Sequence, residues 1–188
     1  LAVMGARGHD AAVLDSLGGP ATDYAHAAGL TLYRARAYDT HWLAARGETD
    51  TAQSMAGDIF AHFEGARAHE ALEEADGEAY EGFERGLDSL STAIGNGNSQ
   101  GIDSAVGTVD SNLVSGIDAL ATDEQAAVLQ AGFFRARLGD ARALYDLDQT
   151  GPASTIAQSV FERFEQNELG FHETLEDTDE ELYHRFEE

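Results

Sequence analysis

Apolar residues recur every three or four positions along most of the chain, with polar residues between them. Ala52, Ala56, Phe60 and Phe63 form one such stripe, whereas no stretch alternates convincingly between apolar and polar residues. A period near 3.6 residues is typical of amphipathic α-helices, and strands need a period of two. The pattern therefore predicts an all-α protein.

Capping residues and helix breakers divide this pattern into segments. Thr22 precedes a long periodic stretch, and Pro152 suits the first turn of a helix because its missing N–H has no partner there anyway. Glycines and asparagines interrupt the pattern elsewhere. The predicted helices cover residues 10–17, 22–46, 49–64, 69–90, 103–120, 122–147, 152–165 and 172–188.

The chain contains an internal repeat. Residues 33–84 and 134–187 align with a single two-residue insertion, and about 20 of 52 aligned positions are identical. YRARAYD aligns with FRARLGD, IFAHFE with VFERFE, and HEALEEADGEAYEGFE with HETLEDTDEELYHRFE. We therefore expect a tandem-duplicated helical bundle, made of two copies of a unit of about 100 residues and three to four helices.

The sequence GNGNSQG at residues 95–101 is the clearest linker signal in the chain. It predicts a first helical repeat with an N-terminal helix over residues 1–94 and a second, truncated repeat over residues 102–188. GHDAAV at 8–13 weakly resembles GIDSAV at 101–106. The N-terminal segment is then either the tail of a preceding repeat or the piece that completes the second one.

The insertion predicts where each repeat is interrupted. Phe63 and His69 are six residues apart, but the aligned Phe164 and His172 are eight apart. On a continuous helix two extra residues rotate everything downstream by about 200°. We therefore expect breaks within 65–68 and 166–171, with each histidine near the start of a new helical segment.

Composition points to a protein adapted to high salt. The formal net charge is −24, and all 11 basic residues are arginine, with no lysine and no cysteine. Dense carboxylates hold water in molar salt, where the Debye length falls to about 3 Å and their mutual repulsion is screened. The charge argues against binding to nucleic acids or anionic membranes, and the missing cysteine excludes disulfides and thiolate chemistry.

The repeated H-E-x-L-E block is the best candidate for chemistry. His69 and Glu73 lie four residues apart on one helical face, as do His172 and Glu176, and imidazole with carboxylate suits iron, copper or zinc. Alternatively, the histidines pack at the predicted breaks and the glutamates are solvated surface. The other repeated groups that could complete a metal site are Asp39, Glu64 and Tyr80, with Asp140, Glu165 and Tyr183 in the second copy.

The repeated arginines are interpreted as structural ion pairs. Arg36 and Asp39 have the i, i+3 spacing of an intrahelical pair, and Arg34 is expected to reach a carboxylate on a neighbouring helix, such as Glu64 or Glu73. The alternative is that they bind an anion or carboxylate ligand held between bundles. The matching arginines of the second copy are Arg135 and Arg137.

No sequence motif indicates catalysis. The chain lacks G-x-S-x-G, a P-loop, a dinucleotide fingerprint and H-E-x-x-H. We therefore expect no enzymatic activity. Neither a signal peptide nor a run of 18 apolar residues is present in this sequence, although its ends suggest a piece of a longer chain.

HFEGARAHEALEEADGEAYEGFE at residues 62–84 resembles a haloarchaeal helical domain of unknown function, found in exported proteins that also carry halocyanin-type blue-copper domains. The resemblance implies an extracytoplasmic location, secreted or membrane-anchored, near copper or electron transfer. A blue-copper site needs a cysteine, so this chain is not itself the copper domain.

A weaker similarity is to imelysin-like iron-handling bundles with a G-x-H-x-x-E signature. Gly170-Phe171-His172 matches its start, but the glutamate falls at i+4, and Arg67 replaces the glycine in the first copy.

Together these features predict a salt-adapted, non-catalytic helical scaffold or interaction domain of a larger exported protein. Its expected partners are another protein or neighbouring domains of the same polypeptide. The alternative function is a metal-binding accessory bundle for iron, copper or zinc.

Overall fold

The chain is helical throughout the part that the structure describes. A computed structural model covers residues 19–187, with side chains for residues 21–186, and no strand occurs among them. The fold is therefore all-α, as predicted, while the helix predicted at 10–17 lies outside the described residues. The α-helices are α1 (Gly19–Ala45), α2 (Thr49–Glu64), α3 (Arg67–Ala75), α4 (Gly77–Gly95), α5 (Ser99–Leu120), α6 (Asp123–Asp146), α7 (Thr150–Glu165), α8 (Phe171–Thr178) and α9 (Glu180–Glu187).

The chain divides into two compact units between Ala121 and Thr122. This boundary differs from the predicted linker at 95–101, which joins two helices of the first unit. Gly97 adopts a left-handed conformation there, with φ of 63°, and the Asn98 side chain caps α5 by accepting from the Gly101 amide. Residues 96–98 therefore form the tight turn of a helical hairpin, since α4 and α5 pack against each other.

In the first unit α5 packs against α1, α3 and α4. Its apolar face, which includes Val109 and Leu113, is buried. The approach to α4 is close at Gly86, where an added Cβ would lie 2.9 Å from the Val109 Cγ2 atom. A small residue at position 86 thus allows the two helices to pack tightly.

Two breaks separate α2, α3 and α4. The first, at Gly65 and Ala66, lies within the predicted interval 65–68 and confirms it. The second is at Asp76, whose backbone is non-helical (φ −151°, ψ 87°) and whose side chain caps α4 by accepting from the Ala79 amide. The single helix predicted over 69–90 is therefore wrong, because Asp76 ends one helix and starts another.

The second unit contains α6 to α9. Thr122 opens α6 with a capping box, in which its hydroxyl accepts from the Gln125 amide and the Gln125 side chain accepts from the Thr122 amide. Asp179 separates α8 from α9 and caps α9 by accepting from the Leu182 amide. The helix predicted over 172–188 is thus also divided. The aromatic core of this unit consists of Phe134, Phe164, Phe171 and Phe186.

The two inserted residues are absorbed by left-handed backbone between α7 and α8. Asn167, Leu169 and Gly170 have φ values of 53°, 55° and 70°. This confirms the predicted break within 166–171 and the position of His172 in the first turn of α8. Of the described helices, none is long and apolar enough to cross a membrane.

Candidate functional site: a histidine–tyrosine–glutamate cluster

Four polar side chains meet where α2, α3 and α4 come together. Glu64 ends α2, and the short break after it places His69 in the first turn of α3. α4 begins after the break at Asp76. Tyr80 and Glu84, one turn apart on α4, face that histidine. We call His69, Glu64, Tyr80 and Glu84 the His69 cluster.

The cluster is held by hydrogen bonds. His69 Nε2 lies 2.9 Å from the Tyr80 hydroxyl oxygen and 3.3 Å from Glu64 Oε1. The Tyr80 hydroxyl donates to Glu84 Oε1 at 2.9 Å. Because the phenol hydrogen is directed to Glu84, the Tyr80 oxygen accepts from His69, which therefore carries a proton on Nε2.

Aromatic packing fixes the plane of the imidazole. The Phe63 ring, fully buried, lies edge-on to His69 with centroids 5.5 Å apart, and the Tyr80 ring is edge-on to His69 at 4.9 Å. Phe83 packs against Phe63 at 4.7 Å. Such edge-to-face pairs add about 0.5–1.5 kcal/mol beyond the area they bury. The histidine is therefore oriented before any ligand arrives.

The surroundings also keep Tyr80 protonated. Burial raises the pKa of Tyr80 from 10.0 to about 12, with further contributions from the hydrogen bond to Glu84 and from the negative charges of Glu84, Glu64 and Glu73. Removing the phenol proton would place a fourth negative charge beside these three carboxylates. At neutral pH Tyr80 thus acts as a hydrogen-bond relay between His69 and Glu84.

The cluster has the ligand set of a small metal site. Glu64, His69 and Glu84 each offer one ligand atom, and these atoms lie within 4.8 Å of one another. Ligand atoms in a tetrahedral zinc site lie about 3.4 Å apart when the bonds are 2.0–2.2 Å, which is close to the 3.3 Å between His69 Nε2 and Glu64 Oε1. A metal would displace the Nε2 proton, because it takes the nitrogen lone pair.

The predicted ligands coincide with this group only in part. His69 and Glu64 belong to it, whereas Glu73 and Asp39 do not. Glu84 takes their place. The sequence carried a signal for Glu84, since it aligns with Glu187 in the repeat.

The second unit has a related but looser arrangement. The Tyr183 hydroxyl and His172 Nε2 are 3.2 Å apart, and the Phe164 ring lies 4.8 Å from the His172 ring. Glu165 is exposed, and the side chain of Glu187 lies outside the described residues. Among the side chains described in this unit, no three form a metal-ligand group.

Two other predicted ligands of the second unit also lie outside any such group. Glu176 is exposed on α8. Arg137 Nη1 donates to Asp140 Oδ2 at 2.8 Å, which is the second-copy counterpart of the predicted Arg36–Asp39 pair. In the first unit the aligned Arg36 lies near Tyr33, where its positive charge lowers a pKa that burial raises to about 12.

The other repeated arginine of the first copy, Arg34, makes a buried ion pair. Arg34 Nε donates to Asp110 Oδ1 at 2.8 Å, and the two side chains are 0% and 5% exposed. Arg34 thus reaches a neighbouring helix as predicted, and the partner seen among the described residues, Asp110, is on α5 and is neither Glu64 nor Glu73. Asp110 could not be found by repeat comparison, because α5 lies outside the aligned stretch.

Arg135, the residue aligned with Arg34, has a different environment. It lies on α6 and is exposed. Among the described residues of the second unit, no helix covers it in the way that α5 covers Arg34. The same sequence block therefore gives a buried arginine in one unit and an exposed arginine in the other.

A second pair of aligned positions has changed together. The Tyr33 hydroxyl lies 2.8 Å from His62 Nδ1 in the first unit. Phe134 and Arg163 stand at these positions in the second unit, where Arg163 Nη1 donates to Glu168 Oε2 at 2.6 Å. Where phenylalanine replaces the tyrosine, the hydroxyl that residue 62 contacts is missing. The aligned residue, Arg163, instead contacts Glu168 in the turn that holds the two inserted residues.

The described residues define an acidic all-α protein of two compact helical units, the first with a His–Tyr–Glu cluster at a helix junction. The chain belongs to the family described as Domain of unknown function (DUF5059), whose model matches residues 1–188. No curated protein and no solved structure matches it.

Proposed function

We propose that this chain is a salt-adapted, non-catalytic interaction module of an exported protein, built from two copies of one helical unit. The observation that carries the proposal is a difference between the units. Fully buried Arg34 and exposed Arg135 occupy aligned positions, and large apolar side chains on α6, such as Val128 and Tyr145, are exposed. Exposed apolar surface on a protein with this charge is typical of a partner-binding face.

The duplication itself rests on the sequence alignment and on repeated local chemistry. In both units a phenylalanine at the end of one helix packs on a histidine, and that histidine contacts a tyrosine hydroxyl eleven residues further on. Asp76 and Asp179 cap the next helix in the same way. Independent origin would not reproduce these contacts at aligned positions.

Site-specific photocrosslinking tests the interaction function. A benzoylphenylalanine replaces Tyr145 on the exposed face, or the exposed Ser154 on α7 as a control, in the cells that express the protein. We expect position 145, and not position 154, to crosslink to one protein at one mapped peptide. Equal or absent crosslinking at both positions contradicts the proposal.

Metal binding at the His69 cluster is a second candidate, favoured by the 4.8 Å grouping of Glu64, His69 and Glu84. Zinc titration by calorimetry tests it. Glu64→Gln and Glu84→Gln should each weaken binding about tenfold or more, whereas Glu73→Gln should have little effect. Binding enthalpy should also depend on the buffer, because Nε2 releases a proton. Zinc affinity that none of the three variants changes excludes this site.

A further inference from the structure

One face of α6 has the spacing of a helix-packing seam, and no other described helix of the second unit covers it. Its positions, all exposed except the half-buried Ala131, follow intervals of three and four residues, which places them on one side of the helix. We call this face the open stripe. Its members are Val128, Ala131, Arg135, Leu138, Arg142 and Tyr145.

We infer that the open stripe binds an amphipathic helix of another polypeptide, which carries two carboxylates seven residues apart on an otherwise apolar face. The inference deepens the proposed function and rests on it. It follows from what covers the aligned positions in the first unit.

In the first unit the aligned stripe on α1 is covered by α5. An added Cβ at Gly116 of α5 would lie 3.0 Å from Leu30 Cδ1, and Ala44 packs on the cluster that contains Ile102 and Val106. The covered stripe is therefore the seam between α1 and α5. Its members are Ala27, Leu30, Arg34, Ala37, His41 and Ala44.

Two ion contacts fix the register of α5 on that seam. Arg34 Nε donates to Asp110 Oδ1 at 2.8 Å, and His41 Nε2 lies 2.6 Å from Asp103 Oδ1. The two basic residues are seven apart, and so are the two aspartates. Because the lower-numbered base pairs with the higher-numbered acid, α5 runs antiparallel to α1.

The open stripe has basic residues at both of the corresponding positions, and both of them are arginine. Arg135 aligns with Arg34, and Arg142 aligns with His41, so two arginines stand seven residues apart. Both are exposed. Arginine is charged at every physiological pH, unlike histidine, and its planar head can bind a carboxylate through two hydrogen bonds.

The large apolar residues of the stripe are exposed as well. Val128 is 60% exposed, Leu138 is 39% exposed and Tyr145 is 66% exposed. Ala37, which aligns with Leu138, is fully buried, and so is Ala27, which corresponds to Val128 when the alignment is extended towards the N-terminus. Val128, Leu138 and Tyr145 are also larger than the alanines at the corresponding positions of α1, whereas Ala131 is smaller than Leu30. An incoming helix therefore needs small residues opposite Val128, Leu138 and Tyr145, and carboxylates opposite the two arginines.

A peptide with the sequence of Ser99–Leu120 supplies the two carboxylates at this spacing and serves as the probe. Fluorescently labelled peptide is titrated with the full chain in about 2 M KCl and followed by anisotropy, since high salt screens non-specific attraction. We expect saturable binding that Arg135→Gln weakens about tenfold or more, with a similar effect of Arg142→Gln. Arg137→Gln, whose side chain pairs with Asp140, is the matched control and should leave affinity unchanged.

A double-mutant cycle tests the predicted pairing. Peptide Asp110→Asn should bind the wild-type protein about tenfold more weakly, yet lose little further affinity for the Arg135→Gln protein. Hydrogen exchange should show new protection in residues 123–146 and none in 19–45. Absence of binding, additive effects of the two changes, or protection of α1 in place of α6 each overturns the inference.

These outcomes are distinct from a failure of the proposed function. Crosslinks from position 145 to a partner that lacks such a helix, with no peptide binding, would overturn the helix chemistry and leave an interaction module. Failure of both experiments would contradict the helix-binding inference and the proposed interaction function together.

Discussion

At the residue scale, Arg34 shows how burial changes the energetic role of a side chain. Its side chain is fully buried, and the carboxylate of Asp110, 2.8 Å away, balances its positive charge. Removing one partner of a buried pair leaves an uncompensated charge, and this costs more than the pair itself contributes. Arg135 has the same neighbours in sequence but remains in water, where its replacement leaves no charge stranded.

This contrast gives a matched pair of variants. Arg34→Gln should lower the free energy of unfolding by about 3–5 kcal/mol, whereas Arg135→Gln should change it by no more than about 0.5 kcal/mol. Chemical denaturation in high salt measures both. Equal losses would mean that the two arginines have equivalent environments, contrary to the structure.

The two shifted tyrosines predict a loss of stability in strong base. Burial raises the pKa of Tyr33 and of Tyr80 from 10.0 to about 12 in the folded protein. The folded state therefore holds these protons more tightly than the unfolded state. Their contribution is complete below pH 10 and is lost as the pH rises through about 12.

Replacing both tyrosines tests this. The Tyr33→Phe/Tyr80→Phe protein should lose less stability between pH 10 and 12 than the wild type does. Urea denaturation along a pH series measures the slope. A slope unchanged by the double replacement would show that other groups cause the alkaline unfolding.

At the element scale, the turns explain which parts of the fold could be predicted. Helical period and the two-residue insertion were enough for the all-α fold and for the breaks before His69 and His172. Asp76 and Asp179 were missed as breaks, because an aspartate in a helical pattern becomes a cap only when the backbone turns there. The pairing of Asp110 with Arg34 and the burial of Arg34 depend on which helices pack together. A periodic sequence pattern does not contain that information.

Close packing of α4 on α5 can be tested with two glycines. A Cβ at Gly86 would lie 2.9 Å from Val109 Cγ2 and 3.1 Å from the Val109 backbone nitrogen, whereas a Cβ at Gly107 meets nothing within 4 Å. Gly86→Ala should therefore destabilise the protein by about 1–3 kcal/mol. Gly107→Ala should stabilise it by about 0.5–1 kcal/mol, because alanine favours the helix. Thermal unfolding that shifts in the same direction for both would contradict the packing of α5 on α4.

At the scale of the whole molecule, charge sets the conditions under which the fold is stable. The chain carries 35 acidic residues against 11 basic ones. Self-repulsion at this density opposes the compact state until salt screens it. The buried Arg34–Asp110 pair is shielded from that salt, so it persists where surface pairs weaken.

The charge predicts a strong salt dependence. The free energy of unfolding should rise as KCl is increased from about 0.1 to 2 M. Denaturation curves at each salt concentration measure it, and sorbitol at equal osmolality controls for water activity. Stability that falls or stays constant over this range would contradict salt adaptation.

One face of α1 is covered by α5, whereas the corresponding face of α6 is exposed. Since the chain has no cysteine, single substitutions give an unambiguous thiol probe at each position. Ala27→Cys tests the buried face of α1, and Val128→Cys tests the exposed face of α6. The rate of thiol labelling in the folded, dilute protein is the most direct measurement. We predict that position 128 is labelled at least about 100-fold faster than position 27, which becomes accessible only on opening of the structure. Equally slow labelling at the two positions would mean that the face of α6 is covered, and would contradict the account.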